Sequence, residues 1–215
     1  MRQLIILLTA LAMTITDTMA QTVLPAPTHA GDGMSLDDAL QQRHSIREYD
    51  PSRAIDLQTL SNLLWSAAGI NRAETNMRTN PTALNSQEID LYVFSADGVS
   101  LYDFKNNALV TVAEGDHRQL LTGLPGGFSQ DFVLDAPVSV VMIINLNKFE
   151  IPADKGLLMG FTDAGIVSQN INLFCAANGL ATVPRATMDS DEIRRLLGLD
   201  EHYVPALNNP VGYAK

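Results

Sequence analysis

Chemistry enters this chain most densely at Arg43-His44-Ser45-Ile46-Arg47. Two guanidiniums and a hydroxyl within five residues offer fixed donors to a dianionic phosphate, and a planar guanidinium fork suits that ligand better than a lysine point charge. The segment reads as a phosphate grip. The competing reading is solvated surface, where arginine-rich runs usually sit and where ion pairs contribute little.

Elsewhere the search for reacting groups returns mostly absences. The sequence has no G-x-S-x-G, no G-x-G-x-x-G, no Walker loop and no H-E-x-x-H. Ser129 and Asp131 lie outside any elbow motif, and Asp189, Asp191 and Glu192 read as acids at a helix start. His29, His44, His117 and His202 lack metal-ligand spacing, and Cys175, the single cysteine, sits in an apolar run as a small core side chain. A chain without its own nucleophile or metal needs a cofactor to carry a reaction.

The 215 residues are 46% hydrophobic and 18% charged, a globular composition. Residues 1–20 read as a Sec signal. Arg2 supplies the positive start, Leu4 to Ile15 the apolar run, and Thr18 and Ala20 the small residues of a cleavage site after Ala20. The apolar run falls short of the roughly 18 residues that cross a bilayer, so no stable membrane insertion is expected. Periplasmic or secreted location follows from such a signal, and any cofactor would be loaded outside the cytoplasm. Cleavage removes one cation, Arg2, and one anion, Asp17, so the net charge stays at −10. Without a basic stripe, an acidic chain is not a nucleic-acid partner.

The elements that must position the grip follow from pattern. Residues 21–34, with two prolines and two glycines, read as a flexible leader, and residues 35–215 as one domain. Ser35 caps a first helix with Leu36, Ala39 and Leu40 as its apolar stripe, and Asp56 caps a second from Leu57 to Ala68, stopped by Gly69. Residues 70–88 are polar and irregular. Ile89 to Ser95, Val99 to Phe104 and Leu109 to Val112 form an antiparallel meander, with a short helix at His117 to Leu121 and a central strand at Val138 to Asn145. Phe161 to Asn178 is a helix apolar nearly all round, which needs burial on several sides, and a subunit interface supplies that. Asp189 or Ser190 caps a last helix through Leu197, and Tyr203 to Leu207 is a short final strand.

Several segments in order resemble the FMN-dependent nitroreductase family: Arg43 to Arg47, then Asn80-Pro81-Thr82-Ala83-Leu84-Asn85-Ser86-Gln87, then Phe161-Thr162-Asp163-Ala164-Gly165. Gln169-Asn170, Asn178-Gly179-Leu180 through Pro184, Leu196 to Leu199 and Val211-Gly212-Tyr213 extend the likeness over about residues 36–213. The resemblance implies an α+β fold with a central, mostly antiparallel sheet flanked by helices, and an intertwined homodimer with FMN at its interface. By the same resemblance Arg43 and Arg47 hold the FMN phosphate, with Ser45 and His44 beside them. Asn85 offers its amide to the flavin's pyrimidine edge, or else is only a turn residue after Pro81, and Gln87 approaches from the partner side. Asp163 and Gly165 fall where backbone donors flank flavin N5, though Asp163 is equally placed as a helix cap. Pro184 and Arg185 approach the ring or ribityl chain, with Arg185 reaching phosphate or facing solvent. The chain stops at Lys215, short of the basic tail many relatives carry; Lys215 substitutes for it, with a weaker hold on FMN implied. The implied activity is ping-pong transfer of two electrons from NAD(P)H to a nitroaromatic, quinone or similar small molecule. The alternatives are an exported flavin protein of this fold with other chemistry, such as dehalogenation or ring dehydrogenation, and one without turnover.

Overall fold

A computed structural model describes residues 20–28, 33–124 and 126–215. The expected signal therefore lies, apart from Ala20, outside the described residues. In chain order the elements are β1 (Gln21–Val23), α1 (Leu36–Gln42), α2 (Leu57–Ala68), β2 (Ile70–Arg72), β3 (Met77–Arg78), β4 (Ile89–Ser95), β5 (Gly98–Asp103), β6 (Ala108–Glu114), β7 (Val138–Asn145), α3 (Ala153–Ala177), β8 (Leu180–Thr182), α4 (Ser190–Leu197) and β9 (Tyr203–Tyr213). Seven strands make one sheet in the order β1-β6-β5-β4-β7-β9-β8, with every neighbouring pair antiparallel. The α+β class and the antiparallel sheet expected from sequence are what the structure has.

Side-chain alternation assigns the two faces. Val140, Met142 and Ile144 of β7 join Leu91 and Val93 of β4 under α2 and α3, whereas Val141 and Ile143 join Tyr92 and Phe94 under α4, Leu121 and Val133. Both faces are covered, so all eight residues of β7 are buried. That explains an unbroken apolar run where a half-exposed strand would alternate.

The helix starts follow their caps. Ser35 accepts from the Asp38 N–H, Asp56 from Thr59 and Asp189 from Glu192, and α4 ends at Gly198 with φ 64°. On α1 only Ala39 is buried; Leu36 and Leu40 are 63% and 51% exposed. The expected apolar stripe points out of the protomer.

Four expectations need correcting. The leader is not free over residues 21–28: β1 pairs with β6, Leu24 is buried, and the Pro25 carbonyl accepts from Ser61 Oγ and Asn107 Nδ2. Residues 70–88 contain the β2–β3 pair. α3 starts at Ala153, two turns before Phe161, because Gly156 and Gly160 serve close packing and do not end the helix; a Cβ on Gly160 would lie 2.6 Å from Ile144 Cγ2. β9 runs eleven residues through Pro205 and Pro210. Pro205 sits beside a register shift against β7. Pro210 shares the parity of Asn208, which bonds Arg185 on the far side, and β8 pairing begins only at Val211, so no ladder bond is lost there.

Candidate functional site

Past α1 the chain lies along the end of β9. The Ile46 N–H donates to Thr182 O at 3.0 Å, Asp50 N–H to Tyr213 O at 2.9 Å and Lys215 N–H to Glu48 O at 3.3 Å. The buried Tyr49 ring anchors the segment, its hydroxyl donating to Ile46 O at 3.1 Å. This frame turns the polar residues outward: Ser45, Arg47 and His44 are exposed and Arg43 is half-buried. His44, Ser45, Arg47, Glu48 and Lys215 line one cavity of about 420 Å³. Among the described residues no carboxylate lies within ion-pair distance of Arg43, Arg47 or Lys215. Ser45 and Lys215, 170 positions apart in sequence, thus face the same space. An adjoining cleft of about 500 Å³ shares His44 and Ile46 and is walled by Asn172, Cys175 and Ala176 of α3 and Thr182 of β8. Its Cys175 thiol is pushed far up by burial and stays a core group.

Farther back along α3 is the loop before β4. Leu84, Asn85 and Gln87 all have positive φ, at 56°, 54° and 50°, a conformation costing roughly 1–2 kcal/mol for each residue with a Cβ. Such strain persists where neighbours over-determine it, and here they do. The Asp163 Oδ2 accepts the Ala83 N–H at 2.7 Å, Thr82 Oγ1 accepts the Gln87 N–H at 3.1 Å, and Lys148 Nζ donates to Gln87 O at 3.1 Å. Asn85 and Gln87 line a cavity of about 250 Å³ with Thr82, Asn80, Arg72 and Arg78. The Gln87 amide itself is spent on Asn76 O at 3.0 Å.

Asp163 and Gly165 sit on α3, which rules out the helix-cap alternative for Asp163. Both lie inside α3, so their backbone N–H groups are committed to the helix and neither residue caps it. Asp163 instead contributes its carboxylate, buried at 5% exposure, to the Asn85 loop. Gly165 is exposed, and a Cβ there would meet nothing within 4 Å in the protomer. Pro184 is exposed, but Arg185 is turned into the protein, 6% exposed, with Nε donating to Gln130 Oε1 at 2.6 Å and Nη1 to Asn208 Oδ1 at 2.8 Å. Burial lowers its pKa to about 10, so it stays charged at neutral pH. It is thus neither solvent-facing nor directed at the grip, because two amide oxygens, the half-buried Gln130 Oε1 and the buried Asn208 Oδ1, hold it.

Cys175 and Asp163, which mark the cleft and the loop, are twelve residues apart on α3, about 18 Å at the helical rise. One helix therefore sets the spacing between the cleft beside the Arg43–Arg47 segment and the loop that carries the Asn85 amide. The Nitroreductase family profile matches residues 40–213. The chain belongs to the nitroreductase family. Among solved structures, a Ralstonia eutropha protein assigned as a nitroreductase is similar over 91% of this chain and 90% of its own, at 31% identity and a TM-score of 0.82. One from Anabaena variabilis matches 92% of this chain, which spans 42% of that protein, at 18% identity and a TM-score of 0.74. A chain of the E. coli microcin synthetase McbBCD complex aligns with 99% of this one and 85% of its own, at 17% identity and a TM-score of 0.67. The last two likenesses concern the fold alone. Comparison with curated proteins finds no match. Nitroreductase membership places the chain among flavin-using oxidoreductases.

In this nitroreductase frame, sequence reasoning missed Glu88, which is fully buried beside Asp163, and the Gln130–Arg185–Asn208 set. The signal for Asn208 was the Asn208-Asn209 pair within an apolar stretch, since two adjacent amides there need partners on opposite sides of a strand. Nothing in the sequence distinguishes Glu88 from a surface acid.

Proposed function

We propose that the protein is an exported, homodimeric FMN oxidoreductase that passes two electrons from a reduced nicotinamide to a nitroaromatic, quinone or similar acceptor. The observation that carries this reading is the convergence of Ser45, Arg47 and Lys215 on one cavity, which Glu48 also lines without forming an ion pair to either cation among the described residues. FMN fits on chemical grounds. Its phosphate suits two guanidiniums and a lysine, each charge-assisted bond being worth about 1.5–3 kcal/mol, and its pyrimidine edge needs a group that donates and accepts at once, as the Asn85 amide does. Bound FMN supplies the hydride and two-electron chemistry that no side chain here offers. The protein's part is to anchor the phosphate through Arg43, Arg47 and Lys215, orient the ring through the Asn85 loop, and leave space beside Gly165 for planar partners.

The homodimer rests on exposed apolar surface. Leu158 and Phe161 are 72% and 43% exposed on the α3 face that carries Gly165, and Leu36 and Leu40 are exposed on α1, which packs on α3. An obligate interface buries upward of about 2,000 Å² and is largely apolar. The site would then complete itself between two chains.

Spectral titration tests the reading. Purified protein mixed with FMN should hold a yellow chromophore near ~450 nm after desalting and lose that absorbance when NADH is added without oxygen. Colour that NADH and NADPH both fail to bleach would point to other flavin chemistry on this fold. Failure to retain any flavin would end the proposal.

A further inference from the structure

Between the strained turn and α3 lies a carboxyl that the reading above does not use. Glu88 has no exposed surface. Its Oε2 is 2.6 Å from Ser86 Oγ, that same hydroxyl is 2.7 Å from Ala83 O, and Glu88 Oε1 is buried with no donor facing it. Asp163 lies within hydrogen-bonding reach of Glu88, and Asp163 Oδ2 already accepts the Ala83 N–H. Proton counting then discriminates between the states of Glu88. Ser86 has one hydroxyl proton for two acceptors, so an ionised Glu88 would set lone pairs and a second negative charge against Asp163 in a space closed to water. A proton on Glu88 removes that repulsion and supplies the missing donor.

The other charges around it do not offer a substitute. From β3, Arg78 attracts a negative Glu88, but its Nη1 donates to Ile89 O and its guanidinium stacks on the Phe104 ring. From β4, Asp90 adds negative charge, and it is paired with Lys148 at 2.7 Å. Burial is the largest cause raising the Glu88 pKa, opposed by the Ser86 hydroxyl and by Glu88's own backbone N–H and reinforced by Asp163.

We propose that Glu88, kept as a neutral acid, is a positioning residue for the flavin-facing turn: it ties Ser86 to Asp163 and so holds Leu84 and Asn85 in the left-handed conformation that presents the Asn85 amide to its cavity. The inference rests on the proposal that this cavity receives the flavin's pyrimidine edge. Because the acid is favoured by folding, the tie is complete below the ordinary carboxylate range and is lost as pH rises through the raised folded value.

The test is FMN titration by fluorescence quenching on the protein and on Glu88→Gln from about pH 5 to about pH 8.5. Amide exchange of residues 82–87 in flavin-free protein, corrected for its intrinsic pH dependence, is read alongside. The glutamine donates to Asp163 at every pH. Ionisation of the FMN phosphate affects both proteins alike, so the ratio of their dissociation constants is the quantity to follow. That ratio should grow by about tenfold or more across the range, as loop exchange quickens in the wild type alone. A constant ratio, with exchange equally flat in both proteins, overturns the proposal. Should Glu88→Gln fail to fold, wild-type exchange decides by itself, a flat corrected profile being the overturning result. If neither protein takes up FMN while the wild-type loop still opens with pH, the tie stands and the flavin reading falls.

Discussion

Arg47 and Arg185 carry the same charged group into opposite circumstances. Arg47 is exposed on a segment pinned by Ile46 and Tyr49, with no carboxylate in ion-pair range. Arg185 is enclosed by Gln130, Asn208 and the Phe132 ring. Their alanine-type variants should therefore separate binding from stability. Arg47→Ala should weaken FMN binding at least about tenfold, the loss of one charge-assisted contact, while leaving the thermal midpoint unmoved. Arg185→Met should leave the buried Asn208 Oδ1 and the half-buried Gln130 Oε1 without this donor and cost about 1–3 kcal/mol in denaturant unfolding, with FMN affinity retained per folded molecule. An FMN loss in Arg185→Met as large as in Arg47→Ala would return Arg185 to the phosphate site. The Arg43–Arg47 cluster stands out in the sequence by residue type alone, and the structure leaves Ser45 and Arg47 exposed. Sequence reasoning misplaced Arg185 because the residues that bury it, Gln130 and Asn208, are 55 and 23 positions away.

At the scale of elements, α3 shows what pattern reading captured and what it lost. The run from Phe161 onward was legible through its apolar residues, and α2 and β7 were legible to the residue because caps and an unbroken apolar run bound them. The first two turns of α3 were not, since Gly156 and Gly160 lower helix propensity locally and their reason, contact with Phe149 and Ile144, is tertiary. β1, β8 and the second half of β9 were lost likewise, being short or proline-bearing segments that only their neighbours make into strands. The helix glycines then divide by what faces them. Gly160→Ala places a methyl 2.6 Å from Ile144 Cγ2, and the overpacking cost of about 1–3 kcal/mol outweighs a helix gain of about 1 kcal/mol. Gly165→Ala meets nothing in the protomer and should raise the stability of the flavin-free chain by about 0.5–1 kcal/mol. If α3 faces the flavin there, the same methyl should lower FMN affinity. Calorimetry of both variants, with and without FMN, checks the pair: a Gly165→Ala that is stabilised and binds FMN as before would place the cofactor away from this helix face.

For the whole molecule, the balance of surfaces argues against a solitary protomer. The sheet is covered on both faces by its own chain, yet α3 keeps Leu158 and Phe161 in the open, and α1, which packs on α3, keeps Leu36 and Leu40 exposed. An exposed apolar stripe marks an interaction surface, which the proposed homodimer would cover, and α3 also sets the distance between Arg43–Arg47 and the Asn85 loop. Dimer and cofactor site should therefore fail together. Replacing Leu158 and Phe161 by glutamate costs an isolated protomer little, because both side chains are already solvated, but in a dimer it buries four charges without partners. Sedimentation equilibrium should give twice the protomer mass for the wild type and the protomer mass for Leu158→Glu/Phe161→Glu. The wild-type thermal midpoint should rise with protein concentration while that of the variant does not. FMN affinity should drop at least about tenfold in the variant even though Arg43, Arg47, Asn85 and Lys215 are untouched. A variant that remains dimeric would move the interface to another face, and a monomeric variant that binds FMN normally would show that a single chain completes the site.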